Sequence, residues 1–495
     1  MNQLNRRNFL KTGALASAAG SLLFQGYSSA QAATEDQPVG ANDAVRVAVV
    51  GFRGQGAGHI DRYLKIPGVR LVALCDADED ILDKKAADLD KKNIKVEKYK
   101  DIRKLLENKD IDAISIATPN HWHALMAIWA CQAGKDVYVE KPCSHNVWEG
   151  RKLVEAARKY KRIVQIGTQL RSSQGYIQGI QWIKEGNIGK IVCARGLCYK
   201  FRDSIGKVKG PQKPPARLDY DLWTGPAPLK PLMRKELHYD WHWDYDTGCG
   251  DIGNQGIHQM DIARWALGYE DLSPRVLSIG GRFGYQDDAN TANTQIVIHD
   301  YPIPLIFEVY GLPMKAGMKE VTHYKGVRTG NIIHCEGGYF SCGHDGSGKA
   351  YDKDGKVIKE FSAEGVGAHQ DNFIAAVRSR KIEDLHSDIE GGHISSALCH
   401  TANASYRLGT LTEEKDIREA IKDKGDLAIE TFERFKAHLA ANNVDLGVNQ
   451  ATLGPWLKFD TKTERFDGND PYTDLVANAM ITRNYREPFV VPEKV

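Results

Sequence analysis

Long apolar runs, paired cysteines and charge of one sign are all scarce in this sequence. Its 495 residues carry a formal charge of only +2, with no extended basic or acidic stretch. That excludes the dense basic face that nucleic acid requires. The nine cysteines (75, 131, 143, 193, 198, 249, 335, 342, 399) are odd in number and scattered, with no Cys-x-x-Cys pair. Neither a zinc site nor a compact disulfide framework fits that spacing, and no H-E-x-x-H motif is present, so no metal is expected. The apolar stretch at 13–24 is too short to span a bilayer, and no cysteine follows it closely enough for a lipid anchor. Internal repeats and low-complexity tracts are absent, which excludes a solenoid. What remains is a globular chain too long for one core and sufficient for two domains.

The first residues read as a targeting segment. Asn5-Arg6-Arg7-Asn8-Phe9-Leu10-Lys11 is a twin-arginine pattern, followed by the short apolar stretch and by Ala30-Gln31-Ala32 as a cleavage site. Residues 1–32 are expected to be a twin-arginine signal peptide and 33–44 a linker. The twin-arginine translocase would then be a partner and the periplasm the destination. That route exports folded protein, so buried thiols can stay free.

Residues 45–50 (VRVAVV) form a β-branched run, followed at once by Gly51-Phe-Arg-Gly-Gln-Gly56 and by a helical stretch over 57–64. Strand, glycine-rich turn and helix in that order fit a dinucleotide site, with Gly51, Arg53, Gly54 and Gly56 at the turn. In G-x-G-x-x-G the middle glycine falls on Arg53. The next strand, 70–75, ends at Asp76, where a carboxylate accepts both ribose hydroxyls of NAD and repels the extra phosphate of NADP. The competing reading makes Asp76 a cap for the helix that follows. Further βα units alternate to residue 167 and predict six parallel strands, a Rossmann domain over 45–167.

Within it, residues 118–142 (TPNHWHALMAIWACQAGKDVYVEKP) read as strand end, helix and strand, closing on Glu140-Lys141-Pro142. The strands end on the crevice where doubly wound sheets bind ligands, so Lys141 is placed to meet one. Beyond 168, strand-like runs at 191–199, 275–279, 295–298, 305–310 and 331–335 predict a substrate-binding α+β domain over 168–445. Its sheet is expected to be open and mostly antiparallel, with helices at 368–379 and 394–408. Residues 446–495 read as irregular wrapping. Between 238 and 261, three histidines, five carboxylates and two tryptophans suit a sugar site, since aromatics stack on rings and polar groups read hydroxyls. Asp251, Asn254 and His258 share a helix face.

Together the glycine turn, Asp76, Thr118-Pro119-Asn120 with His123, Glu140-Lys141-Pro142 and His258 resemble the glucose–fructose oxidoreductase / inositol dehydrogenase / MocA family. The resemblance implies that Lys141 touches nicotinamide and substrate hydroxyl and that His258 takes the hydroxyl proton. It also implies cofactor contacts from Thr118, Asn120, His123 and Glu140. Many relatives carry aspartate where Asn254 stands; an amide orients the imidazole without stabilising its charge, which leaves Asp251 or Asp261 as substitutes. Substrate contacts are expected from Arg171, His238, Tyr239, Trp241, His242, Asp251, Asn254 and Gln255. The implied activity is NAD-dependent oxidation of a secondary ring hydroxyl, C3, of a sugar or glycoside, with the NAD held and recycled. The alternatives are an NAD-dependent glycoside hydrolase working by transient C3 oxidation, and a sugar-binding relative without chemistry. A homo-oligomer is expected.

Overall fold

The computed structural model describes residues 44–495. The expected signal peptide and all but the last residue of the linker lie outside the described residues.

Six parallel strands build the first sheet: β1 (Val45–Val50), β2 (Val69–Cys75), β3 (Glu97–Tyr99), β4 (Ala113–Ile116), β5 (Asp136–Val139) and β6 (Val164–Ile166), in the order β3-β2-β1-β4-β5-β6. The order reverses between β1 and β4, and ligand crevices form beyond the strand ends at such a point. The unbroken apolar runs are explained by burial on both faces. Val47, Val49, Leu71 and Leu74 pack on one side, while Ala48, Val50, Ile114, Ile116, Val137 and Val139 pack on the other. The crossover helices α1 (Gln55–Tyr63), α2 (Glu79–Asp90), α3 (Ile102–Leu106), α4 (Asn120–Gln132) and α5 (Val147–Lys159) match the sequence reading to within a residue or two at most ends.

After α6 (Gln174–Lys184) the chain enters a twelve-stranded sheet. It comprises β7 (Ile191–Tyr199), β8 (Arg275–Gly281), β9 (Thr294–His299), β10 (Leu305–Tyr310), β11 (Thr329–Cys335), β12 (Gly338–Gly343), β13 (Gly348–Asp352), β14 (Val357–Phe361) and four short strands further on. All pairings are antiparallel except β7 with β10, so the sheet is mixed. Between β7 and β8 lie α7 (Tyr220–Thr224), α8 (Leu237–Asp240), α9 (Gly250–Asn254) and α10 (Gly256–Leu267), and after β14 come α11 (His369–Ser379) and α12 (Ile389–Arg407). The helices α10 and α12 cover one face. On the other, α13 (Glu414–Ile421) and α14 (Asp426–Ala441) lay Ile417, Phe432, Phe435 and Leu439 against Leu197, Ile279, Ile296 and Ile298. Beneath α14 the fully buried Arg195 and the partly buried Arg434 share Glu308, and Tyr199 donates its hydroxyl to the same carboxylate.

The segment 446–495 is not irregular throughout, contrary to the sequence reading. Ala451–Leu453 and Leu457–Asp460 pair with β8, and Arg465–Phe466 forms a hairpin with the latter. Pro471–Met480 is a helix, α15, whose Asp470 side chain accepts from the Thr473 N–H with Pro471 at the first turn. Only past Met480 does the chain wrap over the first sheet's helices. There Tyr485 donates to Glu149, Arg483 to His145 and Arg486 to Asp221, and Phe489 packs edge-on against Trp122.

Candidate functional site

The glycine turn sits where β1 meets α1. Gly51 has φ +73°, and a Cβ there would stand 2.8 Å from the Thr118 side chain, so both backbone and neighbour demand glycine. Gly56 is buried, and a Cβ would fall 2.0 Å from the Gly51 oxygen. It lets helix and strand approach and does not itself line the cleft. Arg53 and Gly54 are exposed on the cleft wall, with open space beside Gly54. The first N–H groups of α1 lack acceptors within the helix, which suits a pyrophosphate.

Asp76 follows β2 on the same wall. Its carboxylate accepts the N–H groups of Asp78 (3.0 Å) and Phe52 (3.4 Å), and burial raises its pKa to about 6. The cap of α2 is Asp78, whose side chain accepts from Asp80 and Ile81, so the competing role considered for Asp76 belongs two residues on. A half-buried carboxylate with only backbone donors fits ribose hydroxyls, and the open glycine turn fits the phosphates beside it. NAD therefore suits the residues present.

Residues 118–142 frame the far wall. Thr118, Asn120, His123, Glu140 and Lys141 all line the cleft, whose volume is about 490 Å³. Two of them are committed inward. The His123 ring is clamped between the carbonyls of Pro142 (2.6 Å) and Thr118 (2.7 Å) and ties the two strand ends together. Glu140 bonds to His59 (3.1 Å) and Gln169 (3.0 Å). Burial works against its charge, but His59, Lys141 and His258 outweigh it and hold the carboxyl near 2. Lys141 Nζ donates to the Asn254 carbonyl (2.5 Å) across the domain junction, and burial pushes its pKa below the usual lysine range.

His258, on the first turn of α10, lines the same cleft and is 7% exposed. Burial, then the charge of Lys141, pushes its pKa down to about 3. Its Nδ1 is buried and has no hydrogen-bond partner. Neither carboxylate proposed from sequence as its partner reaches it. Asp251 is held by Arg202 through two 2.7 Å contacts, and Asp261 by Arg171 at 2.7 and 2.8 Å. The Asn254 amide turns to Asp251 (3.3 Å). Arg171 and Asp251, both expected to touch substrate, are thus spent on ion pairs and do not line the cleft.

His238, Tyr239, Trp241, His242, Asn254 and Gln255 do line it. His242 stacks on Trp241 with ring centroids 3.6 Å apart, and His238 Nε2 contacts Asp78 (2.9 Å). The whole 200–248 segment crosses the cleft like a strap. Glu79 N–H donates to Arg217 O and Asp219 N–H to Ala77 O, Arg217 pairs with Glu79, Asp80 and Asp83, and Trp122 Nε1 donates to Trp223 O. Sequence reasoning missed Gln169, Leu222, Trp223 and His344 on the wall. Tyr220-Asp-Leu-Trp-Thr224 is a short aromatic helix capped by Asp219, a legible signal. His344 sits in a polar turn after β12 and carried none. Among the described residues no cluster of three or more metal-ligating side chains occurs.

Residues 45–168 match the model of an oxidoreductase family, NAD-binding Rossmann fold (GFO_IDH_MocA), and residues 182–301 match that family's C-terminal alpha/beta domain. Among curated proteins the chain is 31% identical over 208 residues to a glycosyl hydrolase family 109 protein of Shewanella pealeana, covering 38% of this chain and 45% of that one. It is 32% identical over 170 residues to an inositol 2-dehydrogenase of Salmonella paratyphi B, covering 34% and 49%. The chain thus spans about half the length of the curated relatives it matches. Among solved structures, the WlbA dehydrogenase of Bordetella pertussis, crystallised with NADH and UDP-GlcNAcA, shares the fold. Its TM-score is 0.52 at 18% identity, with 72% of this chain and 94% of that one covered.

Proposed function

We propose, for a chain that the two family models and the curated relatives support as a Gfo/Idh/MocA oxidoreductase, NAD-dependent oxidation of a secondary ring hydroxyl, at C3, of a sugar or glycoside. One observation carries the reading: the Lys141 amine and the His258 imidazole face a single cleft that also holds the glycine turn and Asp76. When bound, NAD supplies the hydride acceptor. The turn from Gly51 to Gly54 would hold its phosphates, Asp76 a ribose, and Thr118 and Asn120 the wall beside the ring. His258 is neutral at physiological pH, and its Nε2, the ring nitrogen that is not sealed off, takes the hydroxyl proton. Lys141, directed by the Asn254 carbonyl, stabilises the alkoxide as charge builds on oxygen. Trp241, His242 and Tyr239 offer aromatic faces to the ring.

In this reading the cofactor is retained, and the NADH formed is reoxidised in place by a second keto sugar that accepts the hydride. The strap is bonded to the lip of the dinucleotide fold at Ala77 and Glu79, just past Asp76, and at Trp122, which supports slow release. The twin-arginine pattern supports periplasmic work, where free NAD is scarce. The absorbance and mass spectrum of the purified protein test retention, and loss of all nucleotide on brief dialysis would overturn it.

A second reading, NAD-dependent glycoside hydrolysis, is favoured by the family 109 relative. Incubation with a set of glycosides separates the two: accumulating keto sugar supports oxidoreduction, and free sugar without net redox change supports hydrolysis. Lys141→Ala and His258→Ala should each lower turnover by about 10²–10⁴-fold. Turnover left unchanged in both variants would remove these two residues from the chemistry, and no turnover of any glycoside by the unsubstituted NAD-loaded protein would leave a sugar-binding protein.

A further inference from the structure

Beside the substrate end of the cleft, just outside the residues that line it, two cations stand without ion-pair partners among the described residues. Three neighbouring strand ends meet there: Lys200 follows β7, Arg328 precedes β11 and His344 follows β12. The backbone ladder fixes them together. Cys198 pairs with Thr329, the Tyr199 N–H donates to Arg328 O (2.9 Å), and the His344 N–H donates to Thr329 O (3.0 Å). His344 lines the cleft opposite His258, with ring centroids 6.2 Å apart. Lys200 Nζ donates to Oε1 of Gln255 (3.3 Å), itself a buried residue of the cleft wall.

The carboxylates nearby are spent elsewhere. Asp251 serves Arg202, Asp261 serves Arg171 and Glu140 faces His59. Asp345, beside His344, is tied into its own turn by the Ser347 hydroxyl and N–H. Among the described residues neither Lys200 nor Arg328 forms an ion pair. A neutral substituent reaching past Gln255 and His344 gains little from these two exposed cations, whereas an anionic one would form charge-assisted hydrogen bonds with them.

We propose that the sugar taken by this cleft bears a carboxylate, as in a uronic acid, held by Lys200 and His344, with Arg328 drawing it in at the rim. The proposal rests on the sugar-oxidising reading above and names its substrate class. The carboxylate is bound and passes through the reaction unchanged, so it enters kcat/KM chiefly through KM.

The test uses the full chain loaded with NAD, a keto sugar as hydride acceptor to reoxidise the NADH, and matched pairs of methyl glycosides and methyl glycosiduronates, scoring keto-sugar formation from the glycoside. The uronate is expected to have a kcat/KM higher by about tenfold or more, the strength of a charge-assisted contact, with the gap narrowing as salt is raised. Lys200→Glu, at an exposed position, is expected to collapse the ratio, and Arg328→Glu to reduce it through KM. Equal or better turnover of the neutral partner, or a Lys200→Glu effect of the same size on both, overturns the anionic substrate while leaving sugar oxidation intact. Failure of every pair to yield a keto sugar from the NAD-loaded protein removes the oxidation reading and this inference with it.

Discussion

Lys141 and His258 are useful because burial works on them in the same direction. Burial lowers both, so the imidazole is neutral and the amine loses its proton more readily than an exposed lysine. A general base must be unprotonated, so the acid limb of the sugar kcat/KM should appear only as pH falls toward about 3. Lys141 stabilises an alkoxide only when charged, so the alkaline limb should lie below the ordinary lysine range. A pH–rate profile on NAD-loaded protein checks both, and an acid limb near neutrality would mean that the ring is not so enclosed. Asp76 behaves oppositely. Its carboxyl is raised to about 6, so NAD affinity should weaken as pH falls through that value, and Asp76→Ala should weaken it about tenfold or more at neutral pH. Titration calorimetry on nucleotide-free protein measures both. At this scale the sequence was informative where a residue's type and its strand-end position coincide, as at Asp76 and Lys141. It was silent on pairing: Arg171 and Asp251 have cleft-like chemistry, but only the folded chain sets them against Asp261 and Arg202.

Among elements, the β1–α1 junction is the least tolerant. A side chain at position 56 would meet the Gly51 carbonyl at 2.0 Å, so Gly56→Val should cost about 1–3 kcal/mol by overpacking and also weaken NAD. Thermal unfolding with and without NAD reads both effects. Strands with a strong apolar pattern, β1, β2, β4 to β7 and β10, were legible almost residue by residue, because burial on one or both faces writes itself into the sequence. The strands β12 to β14 were not. The strand β14 is exposed at four of its five positions, Val357 and Ile358 included, so no apolar period marks it. The helices α13 and α14 went unread although they seal the sheet's second face. Buried positions such as Phe432 and Phe435 are interleaved with enough charge to resemble a solvated stretch.

For the molecule as a whole, the strap decides how the two halves cooperate. Its contacts are unequal. The ion pairs of Arg217 are exposed and screened, so Arg217→Ala should change NAD release only slightly. Trp223 is buried on the cleft wall with its indole edge-on to the His121 ring, so Trp223→Ala should speed NAD release by about tenfold or more. Stopped-flow displacement by excess nucleotide compares the two variants, and equal rates would place retention elsewhere.

The strap also imposes an order on biosynthesis. Residues 45–166 complete the dinucleotide fold while residues 217–223 are still to emerge, and N-terminal domains generally fold first. The nascent chain therefore presents an unroofed crevice to the cytoplasmic nucleotide pool for as long as translation continues. A molecule that finishes synthesis empty has the roof in place before it meets its ligand. Nucleotide supply during synthesis, more than afterwards, would then set what fraction of the chains ever carries a nucleotide.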